Sequence, residues 1–206
     1  MKVKDQIFYQ IATNRDFKVG DKLHFGDEIN GQSRIFDFSY TLDGKPLHEL
    51  AFKDSKKRMF RDRNLTFETA KALSNYDLFM REIALEEVRK EKFPNLPSRF
   101  FCMYLSEHKE DMMENFNKYK KYTSSKSKNF AVRNQGDSYQ AVAVKVTGEA
   151  FFCKGVGISR EGLSFNDYKK RAVEYWSQSQ TSNEKTKEIL FVGDAEVVEI
   201  FDEIRP

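Results

Sequence analysis

A chain of 206 residues in which 35 basic side chains stand against 32 acidic ones carries a formal charge of only +3, which excludes a globally basic nucleic-acid binder or an acidic tail and leaves any electrostatic partner to local patches. At roughly 100–200 residues per domain, this length predicts one domain over residues 1–206. Its two cysteines, Cys102 and Cys153, lie in apolar runs and predict free buried thiols, while the lack of a signal-like apolar segment, or of the roughly 20 apolar residues that span a bilayer, predicts a cytoplasmic protein with no membrane partner.

In chain order, "QIFYQIAT" (6–13) reads as a strand ended by the turn-prone "NRD". Gly-Asp pairs at 20–21 and 26–27 predict bends and loops through "FKVGDKLHFGDEINGQ". "SRIFDFSYTL" (33–42) alternates as a second strand. A helix is predicted from Thr66 to Glu91, with Tyr76, Met80, Ile83, Ala84 and Val88 as its core stripe. Ser74-x-x-Asp77 is a candidate cap within it, and "FPNLP" stops it.

"SRFFCMYL" (98–105) reads as a nearly continuous apolar strand. Ser106 then predicts the N-cap of a helix, with Glu107, Glu110 and Asp111 suited to the positive end of its dipole and Met112, Phe116 and Tyr119 on its buried face. "SYQAVAVKV" (138–146) and "EAFFC" (149–153) predict a hairpin across Thr147-Gly148. Ser164-x-x-Asp167 opens a helix through "YKKRAVEYW", and "KTKEILFVGDAEVVEI" (185–200) closes the series as two strands parted by Gly193-Asp194. Strands at both ends with helices between predict an α+β fold rather than a doubly wound parallel sheet.

The common catalytic constellations are missing. His24, His48 and His108 are scattered without zinc-ligand spacing, so no metal is predicted. "KGVGIS" (154–159) has glycines but no GxGxxG pattern and reads as a turn. There is no phosphate-binding GxxxxGK[ST], and no GxSxG. One residue stands out: Glu188 heads a run of strand-forming residues, a position where a charge is costly unless the strand entry is solvated or the carboxylate has work to do.

Four segments, "FYQIAT", "PSRFFCMYLSE", "AVEYW" and "KEILFVGDAEVVEI", together resemble a bacterial family of the ADP-ribosyltransferase fold, similar in outline to the DarT toxins and the RNA 2′-phosphotransferases. The resemblance implies a split β-sheet with flanking helices, NAD as co-substrate, and no metal. Tyr9 would match the aromatic of the first motif, Gln10 stands where the family carries His or Arg, and Thr13 falls near the polar position that follows. Tyr104 and Ser106 match the second motif, Tyr104 being expected to stack on nicotinamide. Arg99 is implied as a pyrophosphate contact, and Glu188 matches the glutamate before the last strand, the catalytic residue. Breaking the nicotinamide–ribose bond builds positive charge on the ribose, comparable to glycoside hydrolysis, and one fixed carboxylate can favour that charge.

The same resemblance implies a toxin that modifies mRNA in phage defence, partnered by an antitoxin and a chaperone. Local charge points the same way: "NKYKKYTSSKSKNFAVR" (117–133) places Lys118, Lys120, Lys121, Lys126 and Lys128 among Tyr119, Tyr122 and Phe130 with no acidic residue, as single-stranded RNA binding needs. "KKRMFRDR" (56–63) is a second basic stretch. A solvated lysine-rich loop is the plain alternative for the first. A protein acceptor, or a catalytically inactive RNA- or protein-binding module of the same fold, are the alternatives for the whole.

Overall fold

The structure is a computed structural model, and it describes residues 1–28, 30, 63–124, 138–154, 163–177 and 187–205. These form β1 (Lys2–Thr13), β2 (Lys22–Phe25), α1 (Arg63–Lys92), β3 (Met103–Leu105), α2 (Lys109–Ser124), β4 (Tyr139–Lys154), α3 (Phe165–Ser177) and β5 (Lys187–Ile204). The strand predicted over 33–42, residues 56–62 of the second basic stretch, Lys126, Lys128 and most of "KGVGIS" lie outside the described residues. All described strand pairs are antiparallel, in the order β1-β4-β5-β2 with β3 also on β5. The chain is therefore a mixed α and β protein on an antiparallel sheet, with no parallel strand pair among the described residues.

Neither the hairpin read across Thr147-Gly148 nor the pair of strands read across Gly193-Asp194 forms. β4 and β5 are each one long strand, paired from Tyr139↔Ile204 to Lys154↔Lys187, with Gly148 opposite Gly193. A Cβ on Gly148 would sit 2.2 Å from the Val192 carbonyl oxygen, and one on Gly193, at φ +133°, 2.6 Å from that of Thr147. The glycines permit a close crossing of two backbones rather than a reversal of either. Alternating residues on both sides of a turn-like dipeptide describe a bent strand as well as a hairpin.

At this crossing the free edge of β5 changes partner. Ile189–Phe191 pair with β3, and Gly193–Glu196 pair with β2, a strand that formed where bends and loops are predicted. One face of the sheet buries Phe8, Met103, Leu105, Val142, Val144, Val146, Ile189, Phe191 and Val197. The other packs Tyr9, Ile11, Tyr139, Ala141 and Phe201 against Met112 and Phe116 of α2. Both cysteines are free and buried, as their apolar contexts predict.

Three further expectations are corrected. "SRFFCMYL" becomes a turn at 98–102 followed by a strand of only three residues, because Phe101 N–H bonds back to Ser98 O at 3.1 Å. Ser106 is not an N-cap: its backbone exchanges hydrogen bonds with Tyr9, and α2 starts at Lys109 with Met112 N–H reaching His108 O at 3.3 Å. Tyr119 is exposed at the edge of α2, with its ring stacked on Tyr139 at 5.1 Å between centroids.

The contacts of the chain group into two compact units, Met1–Asn30 with Asn95–Val156 and Gln178–Pro206, and Gly31–Pro94 with Gly157–Ser177. The first carries the sheet and α2. In the second, α1 and α3 bury Ala84, Leu85 and Val88 together with Tyr168, Ala172, Tyr175 and Trp176. Buried Trp176 donates its indole N–H to Leu85 O at 2.9 Å, so its polar edge is satisfied. Ser164 caps α3 as its spacing predicts, accepting from Asp167 N–H at 3.2 Å. Of the predicted α1 stripe, Ala84 and Val88 are buried while Tyr76 and Met80 are exposed. Asp77 lies inside α1 rather than at a cap, and its carboxylate takes the Tyr168 hydroxyl at 2.5 Å.

Candidate functional site

The short strand β3 brings the separated motifs together. Its register on β5 runs from Met103↔Phe191 to Leu105↔Ile189, so one residue further Ser106 stands level with Glu188. On its other side Ser106 forms a bridge with Tyr9, closed by two backbone hydrogen bonds of 3.0 and 2.7 Å. Paired residues share a face and alternate residues along a strand return to it, which places Tyr9, Tyr104, Ser106 and Glu188 on one face. β1 and β5 are therefore not direct neighbours. β4 separates them on one side and Ser106 links them on the other.

Glu188 is ion-paired with Arg99. The Arg99 side chain is only 7% exposed and that of Glu188 27%, so the guanidinium is shielded while the carboxylate reaches the surface. Arg99 also lies over the ring of Tyr104, its Cζ 4.9 Å from the centroid. The guanidinium therefore serves both Glu188 and Tyr104, and the stacking role expected of Tyr104 meets a ring with Arg99 on one side.

The backbone of Arg99 is held as firmly as its head group. The Tyr104 hydroxyl donates to Arg99 O at 2.7 Å, and Asn30 Nδ2 donates to the same oxygen at 2.8 Å and to Cys102 O at 2.6 Å. Asn30 N–H adds a bond to Phe100 O at 2.6 Å. Sequence reasoning missed Asn30, which reads locally as one more Asn-Gly loop residue. Its partners lie some seventy residues away and leave no mark in local spacing. Within the same turn, burial pushes the Cys102 thiol far above its usual range, against a smaller opposing pull from Arg99. The thiol stays protonated and is no nucleophile.

Other candidates lie apart. Gln10 follows Tyr9 and so turns to the opposite face, where Phe8 is buried, and its Oε1 is buried without a hydrogen-bond partner. Thr13 ends β1, roughly 13 Å of extended strand beyond Tyr9. Of the basic segment, Lys118, Lys120 and Lys121 fall on α2 rather than in a loop. Lys118 pairs with Glu114 at 2.9 Å, and Lys120 with Asp202 at 2.8 Å. A run without acidic residues is therefore partly neutralised by carboxylates outside it. Among the described residues no group of three or more His, Cys, Asp and Glu side chains is placed to hold a metal, and no helix is long and apolar enough to cross a membrane.

Residues 8–203 match the family described as "Protein of unknown function (DUF2441)". The chain belongs to this family. The match to DUF2441 takes in the second half of β1 and all but the last residue of β5, and with them every residue gathered around β3. Among curated proteins, none matches the chain.

Proposed function

We propose that this protein is an NAD-dependent ADP-ribosyltransferase with the split-sheet fold of that class, and that Glu188 is its catalytic carboxylate. The observation that carries the reading is the convergence on one face of Tyr9, Tyr104, Ser106 and Glu188, residues from three strands joined through the Tyr9–Ser106 bridge. The donor set suits such a substrate: a carboxylate partly open to solvent, oriented by a shielded guanidinium, beside two tyrosines. Gln10 faces away and takes no part in it.

In the transfer, a nucleophilic O–H or N–H of the acceptor forms a bond to C1 of the nicotinamide ribose. The C–N bond to nicotinamide breaks, its electron pair leaves with neutral nicotinamide, and the acceptor releases its proton. Glu188 favours the positive charge that develops on the ribose, the kind of fixed electrostatic contribution that often dominates catalysis. Arg99 orients that carboxylate instead of gripping pyrophosphate.

The favoured acceptor is single-stranded RNA, with the protein acting as a cytoplasmic toxin of phage defence under an antitoxin and its chaperone. The run of Lys118, Lys120 and Lys121 on α2, with Lys126 and Lys128 following in sequence, interleaved with aromatics and without acidic residues, supports this choice. The deciding experiment incubates purified protein with labelled NAD, with and without total RNA, and follows nicotinamide release. Treating the labelled product with RNase, DNase and protease in parallel identifies the acceptor. Label removed by RNase supports RNA, label removed only by protease replaces it with a protein acceptor, and no release of nicotinamide under any condition rejects the enzyme in favour of a binding module.

A further inference from the structure

We infer that Asn30 is a positioning residue of this site, acting through Arg99 on Glu188. The inference rests on the reading of Glu188 as the catalytic carboxylate. An arginine side chain has several rotatable bonds, so it can aim a partner only if both of its ends are fixed. Here the head is fixed by Glu188 and the Tyr104 ring, and the backbone by two donors to Arg99 O, the Tyr104 hydroxyl and Asn30 Nδ2. Asn30 then extends the clamp across the turn to Cys102 O, and its own N–H ties it to Phe100 O.

The chemistry selects the residue type. Two carbonyl oxygens must be served by one short side chain, and the primary amide of asparagine carries two N–H donors for that task. Aspartate would present a carboxylate to the same carbonyls, and alanine would leave both without this donor. A change here moves the turn, and with it the guanidinium that orients Glu188. Misplacing a reacting group by about 1 Å can cost up to 100-fold in rate. Asn30 acts on the turn carbonyls of Arg99, Phe100 and Cys102, so it positions rather than catalyses.

The test combines kinetics with stability. Asn30→Ala and Asn30→Asp should each lower kcat for nicotinamide release about tenfold while moving KM for NAD less than about twofold, the mark of an interaction needed in the transition state. In a Glu188→Gln background Asn30→Ala should lower the residual rate no further, because the carboxylate it serves is gone. Urea unfolding of the same four proteins supplies a readout that needs no activity. The double variant should lose less than the sum of the singles, whereas Asn30→Ala and His24→Gln should add. Should Asn30→Ala not fold, Asn30→Asp enters the same cycles with the same expectations.

Strict additivity with Glu188→Gln in both rate and unfolding would overturn the inference. So would a loss confined to KM. If wild-type protein releases no nicotinamide, the catalytic reading falls, and the unfolding cycle alone decides whether Asn30 holds Arg99 on Glu188.

Discussion

The two halves of β5 use charge in opposite ways. Upstream of Gly193, β5 pairs with β3 and presents Glu188 to an arginine that is 7% exposed. Downstream, it pairs with β2, and the charges are at the surface: Asp194 with His24 at 2.7 Å, and Glu196 with Lys145 at 2.9 Å. Exposed pairs contribute little because water and salt screen them. A shielded guanidinium has no such relief and must keep its partner. One strand thus holds a pair that the structure depends on and pairs that it can lose.

The largest effect should follow from the upstream half. Glu188→Gln keeps the shape and an acceptor for Arg99 but removes the charge that favours the transition state. ADP-ribosyl transfer should fall roughly 10²–10³-fold, by analogy with loss of one pre-organised electrostatic group, in a protein that still folds but melts at a lower temperature because Arg99 has lost its counter-charge. Toxicity on expression should vanish in parallel. Full activity with unchanged melting would reduce Glu188 to a surface residue, no different from Glu196 downstream.

Arg99→Met tests the same half for stability. Removing one member of a buried pair commonly costs 3–5 kcal/mol. Because Glu188 is 27% exposed and can regain water, about 2–3 kcal/mol is the fitting expectation. Urea unfolding measures it, and Arg99→Met with Glu188→Leu should recover much of the loss. The matching change downstream, Lys145→Met, should be nearly silent.

The boundary between the halves is the third target. Gly193→Ala places a Cβ 2.6 Å from Thr147 O at φ +133°, and should cost about 2 kcal/mol in strain and backbone displacement. Hydrogen exchange would rise in the residues paired across the crossing, Thr147 and Gly148 with Gly193 and Asp194. A variant with unchanged stability would mean that the crossing relaxes freely.

The elements with strong local signals were legible in the sequence: β1, α1, the Ser164-capped α3, and Glu188 at the head of a strand. What was not legible is long-range. Nothing in "TG" or "GD" distinguishes a turn from two glycines crossing, since the distinction lies in which strand lies opposite. The turn at 98–102 hides in an apolar run because Arg99 is drawn to Glu188, 89 residues away. Tyr9 and Ser106 fall together only through the bridge between β1 and the end of β3. Gln10, read beside Tyr9 as a co-ligand, falls on the opposite face of β1 by strand alternation, a rule available without any structure.

The smallest effect belongs downstream and is a dependence on pH. His24 lies between two carboxylates, Nδ1 at 2.7 Å from Asp194 and Nε2 at 3.2 Å from Asp27. Its pKa is raised above the ordinary value, chiefly by the hydrogen bond that His24 donates to Asp194; desolvation opposes this, and the charges of Asp194 and Asp27 add smaller upward contributions. A histidine whose folded pKa exceeds its unfolded value, about 6.5, contributes stability that is fully present below that value. The contribution fades as pH rises through the folded pKa, because the unfolded chain has already lost the proton that the folded form still holds. β2 should therefore exchange its amide hydrogens more readily at alkaline pH than the intrinsic rate predicts, and His24→Gln should abolish this excess. Raising the salt should shrink the effect in wild type, since all three side chains are largely exposed. The exchange of β3 amides should show no such salt dependence, and if it did, the contrast between shielded and screened charge along β5 would not hold.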